Sequence, residues 1–146
     1  MKKIITIGSA IIWTIIIFSF SIQNGEESGS LSLGITDYLH QYLILVLPNL
    51  SVETLHIIIR KSAHVIEYAI LGYLYARVWN LIRIPYWIFP IAGLVISLLD
   101  ETIQMYSVNR GPSLVDALFF DLSGFLLCGI ITLIVLKNKL KNLTSL

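Results

Sequence analysis

The sequence predicts an all-α membrane protein with about four transmembrane helices and short interfacial helices in its first outer loop. Three observations carry this. The chain is 56% hydrophobic and only 13% charged over 146 residues, with a mean hydropathy of +0.82, which leaves too little charge to coat a water-soluble domain. Four segments are long enough to cross about 30 Å of hydrocarbon at about 1.5 Å per residue. The Lys and Arg residues divide unevenly between the two ends of those segments.

The first segment, residues 4–22, follows Met1-Lys2-Lys3. Its apolar run is longer than that of a signal peptide, and Ser19-Phe20-Ser21 is a weak cleavage match, so it reads as a membrane helix. The Q-N-G-E-E-S-G-S stretch at 23–30 reads as a flexible turn. Beyond it, Ile35, Leu39, Tyr42, Leu43 and Val46 recur at helical spacing with Asp37, His40 and Gln41 off the stripe, which predicts a short helix lying in the outer interface. Pro48-Asn49 ends it, and Ser51 caps another short helix leading through His56 into the second span, residues 62–82. The third and fourth spans cover residues 86–103 and 114–136.

With the N-terminus inside, the inner ends receive Lys2, Lys3, Arg77, Arg83, Lys137, Lys139 and Lys141, and the outer ends only Arg60, Lys61 and Arg110. That bias predicts both termini in the cytoplasm. No internal repeat or low-complexity tract divides the chain, so residues 1–146 form one integral membrane domain. A net charge of +1 makes no electrostatic case for nucleic acid. The lone Cys128 lies in an apolar run, has no intrachain partner and reads as an inert thiol.

The polar residues inside these segments are few and fall together. Arg60, His64 and Glu67 lie at i, i+4 and i+7, on one helical face. The third span carries Ser97, Glu101 and Gln104 on a shared face with Asp100 beside it, and the fourth opens with Asp116 and Asp121. Counted from their helix ends, Glu67, Glu101 and Asp121 each sit on the order of 10 Å deep. Buried charge at that depth is costly and ordinarily faces a bundle interior or a wet cavity, so the pattern predicts a polar pocket open to the outer face. Ordinary roles exist for the single residues. Arg60 and Lys61 suit interface anchors, His64 and Glu67 an interhelical hydrogen-bond pair, Asp116 a helix start with Ser113, Arg77 an inner anchor, and Tyr68, Tyr73, Tyr75 and Trp79 packing or an aromatic belt. These explain each residue alone but not their common level.

The stretches R-K-S-A-H-V-I-E-Y-A-I-L-G, S-L-L-D-E-T-I-Q, R-G-P-S-L-V-D and the D-x-x-G at Asp121, with F-S-F-S-I-Q-N-G-E-E-S at the first helix exit, occur in the order seen in the VanZ-like membrane protein family, which this chain resembles over most of its length. The five-residue step from Asp116 to Asp121 is wider than the resemblance leads one to expect. The resemblance implies a small multi-helix membrane protein, in some members linked to resistance against glycopeptides of the teicoplanin type, and it supplies no accepted reaction.

Three functional classes follow from the residues: a binding site, an enzyme, and a proton- or ion-coupled carrier or purely structural membrane partner. In a binding site, Arg60, Lys61 and Arg110 hold phosphate or carboxylate, while His64, Glu67, Asp100, Glu101, Gln104, Asp116 and Asp121 orient the cations or accept hydrogen bonds. Membrane lipids, cell-wall precursors and glycopeptide-type ligands offer that chemistry. The alternative is a membrane-embedded hydrolase or transferase using the carboxylates and His64, such as a Glu67–Glu101 acid/base pair. A metal hydrolase is conceivable because His64, Glu67, Asp100, Glu101, Asp116 and Asp121 offer oxygen and imidazole ligands, but no H-E-x-x-H or paired-His motif is present, so neither a metal nor another cofactor is expected.

Overall fold

The computed structural model describes residues 1–144, and every regular element among them is helical: α1 (Lys2–Ile22), α2 (Gly25–Leu43), α3 (Val52–Ile82), α4 (Ile88–Met105) and α5 (Leu122–Thr144), the last entered through a π-helical segment at Asp116–Asp121. Three stretches are long and apolar enough to cross a membrane, Lys3–Ile22, Ile88–Met105 and Asp116–Lys139. Their outward faces stay apolar, as at Ile4, Ile11, Ile12 and Ile15 of α1 and Ile131, Ile134 and Val135 of α5. The chain is a membrane protein.

The expected second span is not among these three. Residues 62–82 form the C-terminal part of α3, a single helix of 31 residues that runs unbroken through the short helix expected after Ser51. Ser51 does cap it, its hydroxyl accepting the Thr54 N–H at 3.1 Å. Arg60, Lys61, His64, Glu67 and Arg77 all fall within α3 and dilute its apolar character. It tolerates them because it is central, packing against α1, α2, α4 and α5.

The loop after α1 also differs from expectation. Only Gln23 and Asn24 separate α1 from α2, so most of the Gly/Ser/acid stretch is helix rather than flexible turn. The Asn24 side chain accepts the Glu27 N–H at 2.7 Å, Glu26 and Glu27 place negative charge in the first turn, and Gly25 N–H donates to Val108 O at 2.9 Å. A cap, a favourable dipole interaction and a tertiary bond together outweigh the weak helix propensity of Gly and Ser. The expected stripe helix is the second half of α2, which stops at Leu43.

α3 and α5 run parallel in backbone contact. A Cβ added at Gly72 would lie 2.1 Å from Phe125 O, and one at Gly124 would lie 2.4 Å from Val65 O, the close approach that small residues permit between membrane helices. Beside this seam, Phe89 stacks on Phe125 at 4.7 Å between centroids, and Trp79 meets Phe89 edge-on at 5.4 Å. With Ile17, Leu71, Ala76 and Ile96 these rings form the apolar core. The opposite end of the bundle, where α1 and α4 finish and α5 begins, holds the polar residues.

Candidate functional site

The polar end is built from the outlets of four helices. α4 buries Ser97, Asp100, Glu101 and Gln104 in its last turns. Asp100 accepts hydrogen bonds from the Ser21 hydroxyl at the end of α1 and from Gln104 Nε2 at 3.2 Å. From α3, His64 Nδ1 lies 3.0 Å from Oδ1 of the fully buried Asp121. Imidazole and carboxylate atoms of His64, Asp100 and Asp121 all fall within 4.8 Å of one another.

The π turn makes this convergence possible. In an α-helix, residues five apart point about 140° away from each other at 3.6 residues per turn. The wider i→i+5 turn at Asp116–Asp121 swings both aspartates toward α3. Asp116 then meets Lys61 at 2.5 Å while Asp121 meets His64. This accounts physically for the wide spacing noted in the sequence.

Above the cluster, α2 covers a cavity of about 220 Å³. Arg60, His64, Glu67, Asp100 and Arg110 supply its charged lining. Phe20, Leu31, Ile35 and Ile59 add apolar lining, and Ser21, Ser28 and Ser32 add hydroxyls. Arg110 is the keystone of the rim. Its Nη1 donates to Phe20 O at 2.7 Å and its Nη2 to Ser28 Oγ at 3.0 Å, tying the chain after α4 to α1 and α2. Its Nε is buried with no partner. Burial pulls the Arg110 guanidinium below its ordinary value and the nearby Arg60 charge adds to this, against the opposite pull of Asp100, Glu67 and Glu101. Arg60 makes no hydrogen bond or ion pair among the described residues and is exposed.

The ten residues singled out from sequence therefore separate into groups. Arg60, His64, Glu67, Asp100 and Arg110 surround the cavity. Asp121 backs His64, and Gln104 backs Asp100. Glu101 does not join Glu67 as an acid pair at the cavity wall; its Oε2 accepts the Ser113 N–H at 2.6 Å and holds the loop leading into the π turn. Ser113 in turn caps that helix start through Asp116 N–H at 3.3 Å, the ordinary role expected of this pair. Lys61 and Asp116 lie to one side, half exposed, with the Lys61 ammonium 4.4 Å above the Phe120 ring.

Several contributors escape a reading of charge alone. Ser21 and Ser28 sit in the first-helix exit motif, and their placement beside Asp100 and Arg110 explains its serines. Ser32 Oγ contacts His56 Nε2 at 2.7 Å at the cavity margin. Tyr68 lies fully buried, and its hydroxyl faces Asp100 and Ser97 without closing a hydrogen bond to either. Its position one residue after Glu67 was the only signal, and it reads as packing.

The model of the family described as VanZ/LLP1 matches residues 6–137, nearly the whole chain. No curated protein and no solved structure matches it.

Proposed function

The chain belongs to the VanZ/LLP1 family, and from that premise we propose that it is a multi-pass membrane protein whose cavity receives the anionic headgroup of a cell-envelope lipid or lipid-linked wall precursor. The observation that carries this reading is the pair of arginines, Arg60 and Arg110, on one small cavity that is also lined by the apolar side chains of Phe20, Leu31, Ile35 and Ile59. Glu67 and Asp100 on the same cavity offset part of that charge, but Arg60 is bound to neither, and arginine forks suit phosphate or carboxylate. The wall formed by Phe20, Leu31, Ile35 and Ile59 suits the first carbons of an acyl or prenyl chain.

α3 acts as a fourth span in this reading. α4 begins at the end of the bundle opposite the cavity, and residues 83–87 are too few to carry the chain across, so α3 makes the return crossing from α1's outlet. Its 31 residues extend about 46 Å at about 1.5 Å each, enough to cross and project. The Lys and Arg bias then places the cavity outside and both termini in the cytoplasm, with α2 lying over the outer interface. A teicoplanin-type glycopeptide presents carboxylate and acyl groups to the same features, so a contribution to resistance against it belongs to this reading.

A second reading, a membrane-embedded hydrolase or transferase, is favoured by one observation: Asp121 orients His64 as a triad acid orients its base, with the imidazole bordering the cavity. Protein purified in detergent and examined by native mass spectrometry discriminates these. Retention of an anionic lipid that Arg60→Gln releases supports the binding reading, conversion of added lipid lost in His64→Ala supports the enzyme, and no preference for anionic over zwitterionic lipid refutes the proposed headgroup.

A further inference from the structure

We propose that His64, Asp100 and Asp121 form a site for one divalent transition-metal ion of the zinc or manganese type at the floor of the cavity. The three side chains come from α3, α4 and the π turn, and their donor atoms already lie within 4.8 Å of one another. A tetrahedral ion with ligands at about 2.0–2.2 Å spaces them about 3.4 Å apart, a change within reach of small side-chain rotations. Each donor is on a helix rather than a loop, so the arrangement is held before any ion arrives.

Independent signs of a missing partner surround the cluster. Asp121 is fully buried, yet its Oδ2 has no hydrogen-bond partner. Buried polar atoms left in this state are rare in native proteins, and one on a carboxylate that already faces His64 and lies beside Asp100 points to a ligand that gathers them. The Tyr68 hydroxyl, also fully buried, lies toward Asp100 and Ser97 at the edge of hydrogen-bond reach. Charge agrees. Asp100 and Asp121 are 1% and 0% exposed, and neither forms an ion pair with Lys or Arg among the described residues, so a dication between them would offset two buried carboxylates that the more distant Arg110 and Lys61 reach only at long range.

The donor set selects the ion. Imidazole with carboxylates suits Zn²⁺ or Mn²⁺, whereas calcium and magnesium sites are built from oxygen alone. Ser21 and Gln104 hold Asp100 from outside, as supporting hydrogen bonds hold metal-binding carboxylates. His64 and Asp100 also border the cavity, so the position left open on the ion faces whatever enters from above. The inference goes beyond the headgroup reading, and its test uses the metal alone, so failure of one leaves the other standing.

The full chain, purified in detergent through a tag free of histidine, is stripped with EDTA and titrated with ZnCl₂ and separately MnCl₂ in the absence of added lipid. One ion per chain and an upward shift in Tm are expected. Asp100→Asn and Asp121→Asn should each weaken binding by more than the about 10- to 100-fold that losing an outer-shell partner costs, while Asp37→Asn on the exposed face of α2 should not. Because the aspartate variants also alter a buried charge, Co²⁺ added to the unaltered chain gives a readout that needs no variant: the d–d spectrum of a bound ion with nitrogen and oxygen donors. Absence of stoichiometric binding by Zn²⁺, Mn²⁺ and Co²⁺, or equal binding by the chain and both aspartate variants, overturns the proposal.

Discussion

Glu101→Gln distinguishes a carboxylate that holds the scaffold from one that serves the cavity. Glu101 is 5% exposed, and its hydrogen bond is the 2.6 Å contact with Ser113 N–H. Gln keeps an acceptor oxygen in place and removes the charge. Hydrogen bonds to charged groups contribute about 1.5–3 kcal/mol and neutral ones about 0.5–1.5, so the expected loss is about 1 kcal/mol. For a chain of this size that corresponds to a fall in Tm of about 2–4 °C, with lipid retention unchanged. Glu101→Ala leaves the Ser113 N–H unpaired and should cost about 2–3 kcal/mol. Arg110 bonds to Phe20 and Ser28 rather than to Glu101 and feels only its charge, so the double variant Glu101→Gln/Arg110→Gln should depart from additivity by less than about 1 kcal/mol. The assay is thermal unfolding in detergent alongside native mass spectrometry of bound lipid. A Glu101→Gln protein that keeps its Tm but loses lipid, or whose defect is rescued by Arg110→Gln, refutes the assignment of Glu101 to the loop.

Arg60→Gln should abolish retention of anionic lipid while moving Tm by less than about 0.5 kcal/mol equivalent, since Arg60 holds nothing in the fold; unfolding of this variant would contradict its placement at a free rim. Gly72→Ala drives a methyl against the backbone of Phe125 and should cost about 1–3 kcal/mol, whereas Gly34→Ala, with open space around it, should raise Tm slightly; equal Tm values for the two would show that α3 and α5 are not in backbone contact. For orientation, in a chain with Cys128 replaced, Ser30→Cys should react with an impermeant thiol reagent applied to intact cells, and Asn138→Cys only after lysis. The reverse pattern would place the cavity on the cytoplasmic side.

Apolar runs revealed the membrane helices because bilayer thickness imposes length and composition directly on a sequence. α3 was harder to delimit, since a helix surrounded by neighbours can carry Arg60, His64 and Glu67 and lose the signature of a lipid-facing span. α2 was obscured by its glycines and serines, whose propensities were overruled by the Asn24 cap and by the bond from Gly25 to Val108. On α4, a stripe drawn through Ser97, Glu101 and Gln104 put Glu101 at the cavity. Asp100, one residue earlier, takes that place because both flanks of this helix end are covered, and periodicity alone cannot say which neighbour lies on which flank. The meeting of His64 with Asp121 depends on a turn that departs from 3.6-residue spacing, and no pattern search built on that spacing would align them.

The π turn ahead of α5 behaves like a vernier, setting two rows of side chains in register with α3 although their spacing along the chain does not match it. Asp116 keeps step with Lys61, and Asp121 keeps step with His64. The correction is carried by chain length rather than by the identity of any one residue. Substitutions at Leu118 or Phe119, which face outward, leave it intact. Removal of a single residue between Asp116 and Asp121 would leave the two aspartates four apart, about 40° from each other in an ordinary α-helix, so both would still face α3. Straightening the turn at its full length is what would swing one of them away from its partner.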